Sequence, residues 1–153
     1  MTVFSLNGYG AVFTDVLTGI AATMAGLSFG VTDAAKDNDC GQLSGFMRLD
    51  GARSGLIIIS AAERDIRVFC SRMLGISQAD VTAEEAHDTL CELVNMTAGN
   101  AKLRFNETKF MFTLTTPFVV TGNEMKLVMK NSAQYYTCTL GDGDISLKLK
   151  IIY

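Results

Sequence analysis

The chain has 153 residues, 48% of them apolar and 19% charged, with a formal net charge of -3. That balance excludes a disordered chain, and the lack of a basic surface and of tryptophan argues against a nucleic-acid partner. The length suits a single domain over 1–153 with a substantial core.

The opening thirty residues, MTVFSLNGYGAVFTDVLTGIAATMAGLSFG, are apolar but have no basic leading region and carry Asp15 in their middle. They never give the run of about 18 uncharged apolar residues that a membrane span needs. They read as a core helix over 10–27, with Val12, Phe13, Val16, Leu17, Ile20, Ala21 and Met24 at helical spacing and burial on most sides. Gly8-Tyr9-Gly10 reads as a short loop ahead of it. Cys40, Cys70, Cys91 and Cys138 stand far apart with no CxxC, the pattern of reduced core thiols in a cytoplasmic protein.

Residues 32–41, rich in Asp, Ala and Asn, read as a loop. Leu43 to Leu49 and Gly55 to Ser60 are expected as strands joined at Asp50-Gly51, a dipeptide suited to a tight hairpin turn. The run Leu56-Ile57-Ile58-Ile59 marks a central strand covered on both faces. Ala61 to Leu74 reads as an amphipathic helix, with Ile66, Phe69, Cys70 and Met73 on its core side, ending at Gly75.

Val81 to Phe105 is expected as one long helix. Thr82 is its N-cap, Glu84 and Glu85 lie in the first turn, and Lys102 and Arg104 lie in the last. At about 100° per residue, Ala86, Leu90, Leu93, Val94, Thr97 and Ala101 gather on one side. Asp88, Glu92, Asn95, Gly99 and Lys102 line the opposite side within about 80° of arc. Amphipathic helices commonly carry a polar side that is merely solvated. Asn and Gly are poor helix formers, however, and Gly costs about 1 kcal/mol against Ala in mid-helix, so their presence here suggests selection for chemistry or docking.

Beyond Phe105 the pattern has period two. Strands are expected at Phe110 to Leu114, Phe118 to Val120, Lys126 to Met129, Gln134 to Leu140 and Ile145 to Ile152. In the last, Ile145, Leu147, Leu149 and Ile151 face inward, while Ser146, Lys148 and Lys150 form an exposed, charged outer face. The order describes an α+β domain, helices packed on a mostly antiparallel sheet. An offset of 73 residues lays Asp15 over Asp88, Leu17 over Leu90, Ile20 over Leu93, Ala21 over Val94 and Gly26 over Gly99. This suggests a pseudo-repeat in which the first copy has Gly19 and Ala22 where the second has Glu92 and Asn95.

Asp88-x-x-x-Glu92-x-x-Asn95, continued as Met96-Thr97-Ala98-Gly99, resembles the (Ser/Asp)-x3-Glu-x2-Asn signature of the CheC/CheX/FliY chemotaxis phosphatases. Thr116-Pro117-Phe118-Val119-Val120-Thr121-Gly122 resembles the Pro-containing strand entry that follows. Length, element order and a single intact motif resemble the CheX branch, although the chain has one proline where family members often show two. The resemblance implies hydrolysis of the aspartyl phosphate on a CheY-type response regulator and a homodimer. Residue chemistry agrees. An acyl phosphate is already activated, so a neutral amide at Asn95 that orients water suffices. Glu92, which the phosphoryl oxygens would repel, fits better as the acceptor for a lysine of the regulator. By the same resemblance Asp88, Gly99 and Lys102 would be further partner contacts, and the Mg2+ ion would belong to the regulator.

Other sites are less well supported. His87 lies about 100° from Asp88, off the stripe, and reads as a helix-flank histidine five residues from Glu92, outside metal-ligand spacing. No Ser-His-Asp set, Walker loop or GxGxxG is present. The eight methionines read as core filler. Two alternatives to the enzyme remain: a non-catalytic adaptor that binds the regulator through the same stripe, and a purely structural dimerisation unit.

Overall fold

The computed structural model describes residues 6–33, 41–130 and 133–153. Helix α1 (Leu6–Ala25) leads to β1 (Gly30–Asp33), to β2 (Leu43–Gly51) and β3 (Gly55–Ala61), and to helix α2 (Glu63–Leu74). A 3-10 turn (Gln78–Asp80) precedes helix α3 (Ala83–Arg104), followed by β4 (Phe112–Leu114), β5 (Phe118–Thr121), β6 (Tyr135–Gly141) and β7 (Ser146–Ile152). One sheet runs in the order β1-β6-β7-β3-β2-β4, with β5 also pairing β2, and the pairings are antiparallel. The three helices pack on one another and on one face of that sheet. Among the described residues no helix is long and apolar enough to cross a membrane.

The core lies between the helices and the inner face. Period-two alternation sends Leu43, Met47, Leu49, Ile57, Ile59, Leu147, Leu149 and Ile151 into it, and helical spacing sends Phe13, Leu17, Ile66, Phe69, Leu90, Leu93 and Val94 to meet them. Gly45 sets how closely α3 approaches: a Cβ there would stand 2.8 Å from Val94 Cγ2 and 3.0 Å from Leu90 Cγ. Gly75 ends α2 in the left-handed conformation, as the sequence suggests, at φ 66°.

The strand order gives the pseudo-repeat a physical form. Outward from the central β3–β7 pair come β2 and β6, then β5 and β1. Each half supplies a helix, an outer strand and a hairpin, and its helix and outer strand pack on the hairpin of the other half: α1 and β1 on β6, α3 and β5 on β2.

Several local expectations are corrected. Gly8-Tyr9-Gly10 is not a loop but the first turns of α1, where Gly10 lets the Tyr136 ring lie so close that a Cβ would come within 2.1 Å of it. Helix α1 ends at Ala25 and is not buried on most sides, because Ala11, Asp15, Gly19, Ala22 and Thr23 are exposed and Met24 is 41% exposed. Asp50-Gly51 is not the hairpin turn; it continues β2 opposite Thr113 and Phe112 of β4, and Ala52-Arg53-Ser54 makes the reversal. Thr32 and Asp33 belong to β1, paired with Thr139 and Cys138, and of the rest of the expected loop Gly41 is described while 34–40 fall outside the described residues. Lys126 to Met129 forms no strand: Lys126 makes an isolated bridge, and half-buried and exposed residues alternate through the segment.

Lys150 is not exposed. It is 4% accessible, set between Ile58 and Thr137 on the outer face, with Nζ 5.5 Å from the Tyr135 ring centroid. Alternation assigns a residue to a face, but a long lysine stem can lie along apolar neighbours on either face. Cys70 and Cys138 are buried free thiols, Cys91 is half-buried, and Cys40 lies outside the described residues. Among the described methionines Met47 is fully buried and Met73 and Met96 pack half-buried against the core, whereas Met24 and Met111 are exposed and do not fill it.

Candidate functional site

Helix α3 is fixed at its start before it presents anything. Thr82 Oγ1 accepts the Glu85 backbone N–H at 3.1 Å and Glu85 Oε2 accepts the Thr82 N–H at 2.9 Å, a reciprocal capping box. Arg67 of α2 donates to the Val81 carbonyl and pairs with Glu63 at 3.0 Å, holding the approach to α3 against α2. At the other end Arg104 pairs with Asp15, tying α3 to α1. Ala86, Leu90, Leu93, Val94, Thr97 and Ala101 are all buried, which fixes the rotation of the rod.

That rotation places the stripe outward. Asp88, Glu92 and Asn95 are exposed, and Gly99 and Lys102 are half-buried toward the C-terminal end. Glu92 and Asn95 stand about 4.5 Å apart along the axis on adjoining turns. Among the described residues, the side chains of Asp88, Glu92, Asn95 and Lys102 have no hydrogen-bond or ion-pair partner. An acceptor-only carboxylate and a donor–acceptor amide are therefore offered to solvent together. Among the described residues a Cβ on Gly99 would meet only Leu114 Cδ1, at 3.9 Å.

The two flanks differ. Lys102 borders a cleft with Asp50, Gly51, Thr108 and Thr113 near β4. His87, half-buried, borders a separate polar cleft with Gln42, Glu63, Thr121 and Asn123 beside β5. Among the described residues no group of three or more His, Cys, Asp or Glu side chains is placed to hold a metal ion. Cys91 lies between Asp88 and Glu92 in sequence; burial, then the charges of those two carboxylates, push its thiol pKa up and keep it protonated. On the other flank Met96, Asn100, Leu103 and Arg104 face α1 across an open groove. Sequence analysis missed this neighbourhood, and the available signal was the position of Met96 and Leu103, only about 60–80° from Asp88 around the helix.

The model of the family described as "Chemotaxis phosphatase CheX" matches residues 43–140, which contain the whole stripe. The chain belongs to the CheX family. Solved structures agree on the fold. A CheC-like superfamily protein from Shewanella sp. PV-4 is 25% identical, with a TM-score of 0.83 over 97% of this chain and 98% of that one. The chemotaxis protein CheX from Vibrio vulnificus is 24% identical, with a TM-score of 0.80 over 94% of this chain and 97% of that one. CheX from Borrelia burgdorferi, solved in complex with CheY, BeF3 and Mg2+, is 21% identical, with a TM-score of 0.75 over 94% and 97%. No curated protein matches the chain.

Proposed function

We propose that this protein accelerates hydrolysis of the aspartyl phosphate on a CheY-type response regulator, with Asn95 positioning the water and Glu92 docking a lysine of the regulator. The observation that carries the reading is the exposed, unpartnered Glu92–Asn95 pair on a helix anchored at both ends. It is supported by the CheX family match and by the Borrelia CheX solved with CheY, BeF3 and Mg2+.

In this reaction the water oxygen bonds to phosphorus, the bond from phosphorus to the aspartyl oxygen breaks, and the water protons leave with inorganic phosphate, freeing the carboxylate. A Mg2+ ion held by the regulator would offset the negative charge of the phosphoryl oxygens. Asn95 Oδ1 accepts one water O–H, while its Nδ2 can donate to a phosphoryl oxygen. A neutral amide does this without repelling the group it serves. Positioning of this kind can supply several kcal/mol. Glu92 and the regulator lysine form a charge-assisted contact, Asp88 and Lys102 extend it, and Gly99 lets the partner backbone approach. A homodimer is part of the same proposal, and sedimentation velocity on the isolated protein checks it.

The test is decay of a phosphorylated CheY-type receiver with and without the protein. Asn95→Ala should lose the acceleration by about 100-fold or more while still binding a beryllofluoride-activated receiver. Glu92→Ala should weaken affinity about 10-fold and rate with it. Wild-type decay rates with both variants would refute the assignment. Tight binding by the wild type with no added phosphate release would make the protein an adaptor.

A further inference from the structure

The stripe on α3 is too narrow to be the whole docking surface. It runs about 21 Å from Asp88 to Lys102 and is at most one helix, about 10 Å, wide, whereas a stable interface takes roughly 800 Å² from each partner. The contact must spread to one flank. Toward β4 and β5 the surface is mixed, with Thr113, Thr115, Thr116 and Thr121 beside half-buried Leu114 and Val119 and exposed Met111, Phe118 and Val120. Toward α1 the surface drops into an open groove of about 500 Å³, lined by Val16, Gly19, Ile20, Met24, Met96 and Leu103, with the Asp15–Arg104 pair, Thr23 and Asn100 beside them.

Three features mark this groove as built for contact. Leu103 is 66% exposed and Met24 41%, an apolar lining left open to water. Gly19 sits within α1, where a Cβ would meet nothing within 4 Å among the described residues, so a methyl that would favour the helix by about 1 kcal/mol is missing without any visible gain to this fold. The groove is also continuous with the reactive line, since Met96 follows Asn95 and Asn100 follows Gly99. Flexible methionines adapt to an incoming apolar group.

Resting on the function proposed above, we infer that the α1–α3 groove is the apolar half of the same docking surface and receives an aliphatic or aromatic side chain that the regulator carries beside its phosphorylated pocket. Glu92 and Asn95 then read the charged pocket while the groove supplies apolar burial. A few anchor residues seated in well-packed, desolvated pockets carry most of the affinity of an interface.

The experiment measures binding of a beryllofluoride-activated, Mg2+-loaded CheY-type receiver to the full chain by titration calorimetry, with Tm and sedimentation velocity recorded for each variant. Gly19→Leu fills the groove and Leu103→Ser removes an exposed apolar wall. A loss of affinity of 10-fold or more in either, at unchanged or higher Tm, supports the inference. If Gly19→Leu fails to fold, Leu103→Ser decides alone. Wild-type affinity in both, while Glu92→Ala binds weakly, overturns the groove and leaves the receiver reading standing. A change in oligomeric state with Gly19→Leu overturns it in favour of a second copy of this chain. A wild-type protein that neither binds nor dephosphorylates the receiver overturns both.

Discussion

Gly99 is glycine for no reason that this chain's own packing supplies. Its only near neighbour among the described residues is Leu114 Cδ1, at 3.9 Å from where a Cβ would stand, and it lies inside a 22-residue helix where Ala is better by about 1 kcal/mol. Gly99→Ala should therefore raise Tm by roughly 2–4 °C while weakening receiver affinity, a pair of changes that calorimetry and a binding titration can separate. A fall in Tm would show that the fold needs the glycine; unchanged affinity would remove it from the docking line. At this scale the stripe was fully legible, because the angle between Asp88, Glu92 and Asn95 depends only on the helical repeat. Lys150 was not, since its accessibility depends on Tyr135, Ile58 and Thr137 arriving from distant parts of the chain. Asp50-Gly51 failed similarly: its local preference for a turn lost to pairing with Phe112 and Thr113, some sixty residues away.

Among the elements, α3 was readable from end to end because its caps and its periodicity agree. Thr82, Glu85 and the basic last turn are local signals, and the structure forms the capping box they spell out. Thr82→Ala should cost about 1 kcal/mol and speed hydrogen exchange at the Glu85 amide, with little effect on Asn95-dependent turnover well below Tm. Loss of turnover in step with helix-start exchange would mean that fraying at the first turn reaches the stripe. The start of α1 was unreadable for the opposite reason. Two glycines around Tyr9 look like a loop, yet Gly10 is needed where Tyr136 crosses the helix, and Thr14 Oγ1 meets Tyr136 Oη at 3.0 Å and Cys138 Sγ at 3.2 Å just beyond. Contact with β6 overrides poor propensity, and only the partner strand reveals it.

Apart from α2 and β4, the described elements form two similar halves, each covering the hairpin of the other. The sequence offset hinted at repetition but could not give that exchange, which lives in pairings as distant as Gly30 with Gly141. One aromatic cluster ties the arrangement together. Tyr9 of α1 is 4% exposed, and its ring lies 4.9 Å from Phe105 at the end of α3, 5.5 Å from Phe110 before β4 and 4.9 Å from Tyr153 after β7. Burial, and secondarily the neighbouring Tyr153, pushes its pKa well above the ordinary value of about 10, because a phenolate there would be stripped of water. The folded chain thus holds this proton more tightly than the unfolded chain does. The resulting stability is fully present below about pH 10 and is lost as pH climbs beyond it toward the folded pKa. Tyr9→Phe keeps the ring and removes the titration, so Tm measured from pH 8 to 11.5, a range of about three to four units around that value, should decline less steeply in the variant than in the wild type. Parallel decline in both would mean that other groups drive alkaline unfolding and that the join between α1, α3 and the sheet does not depend on the protonation of Tyr9.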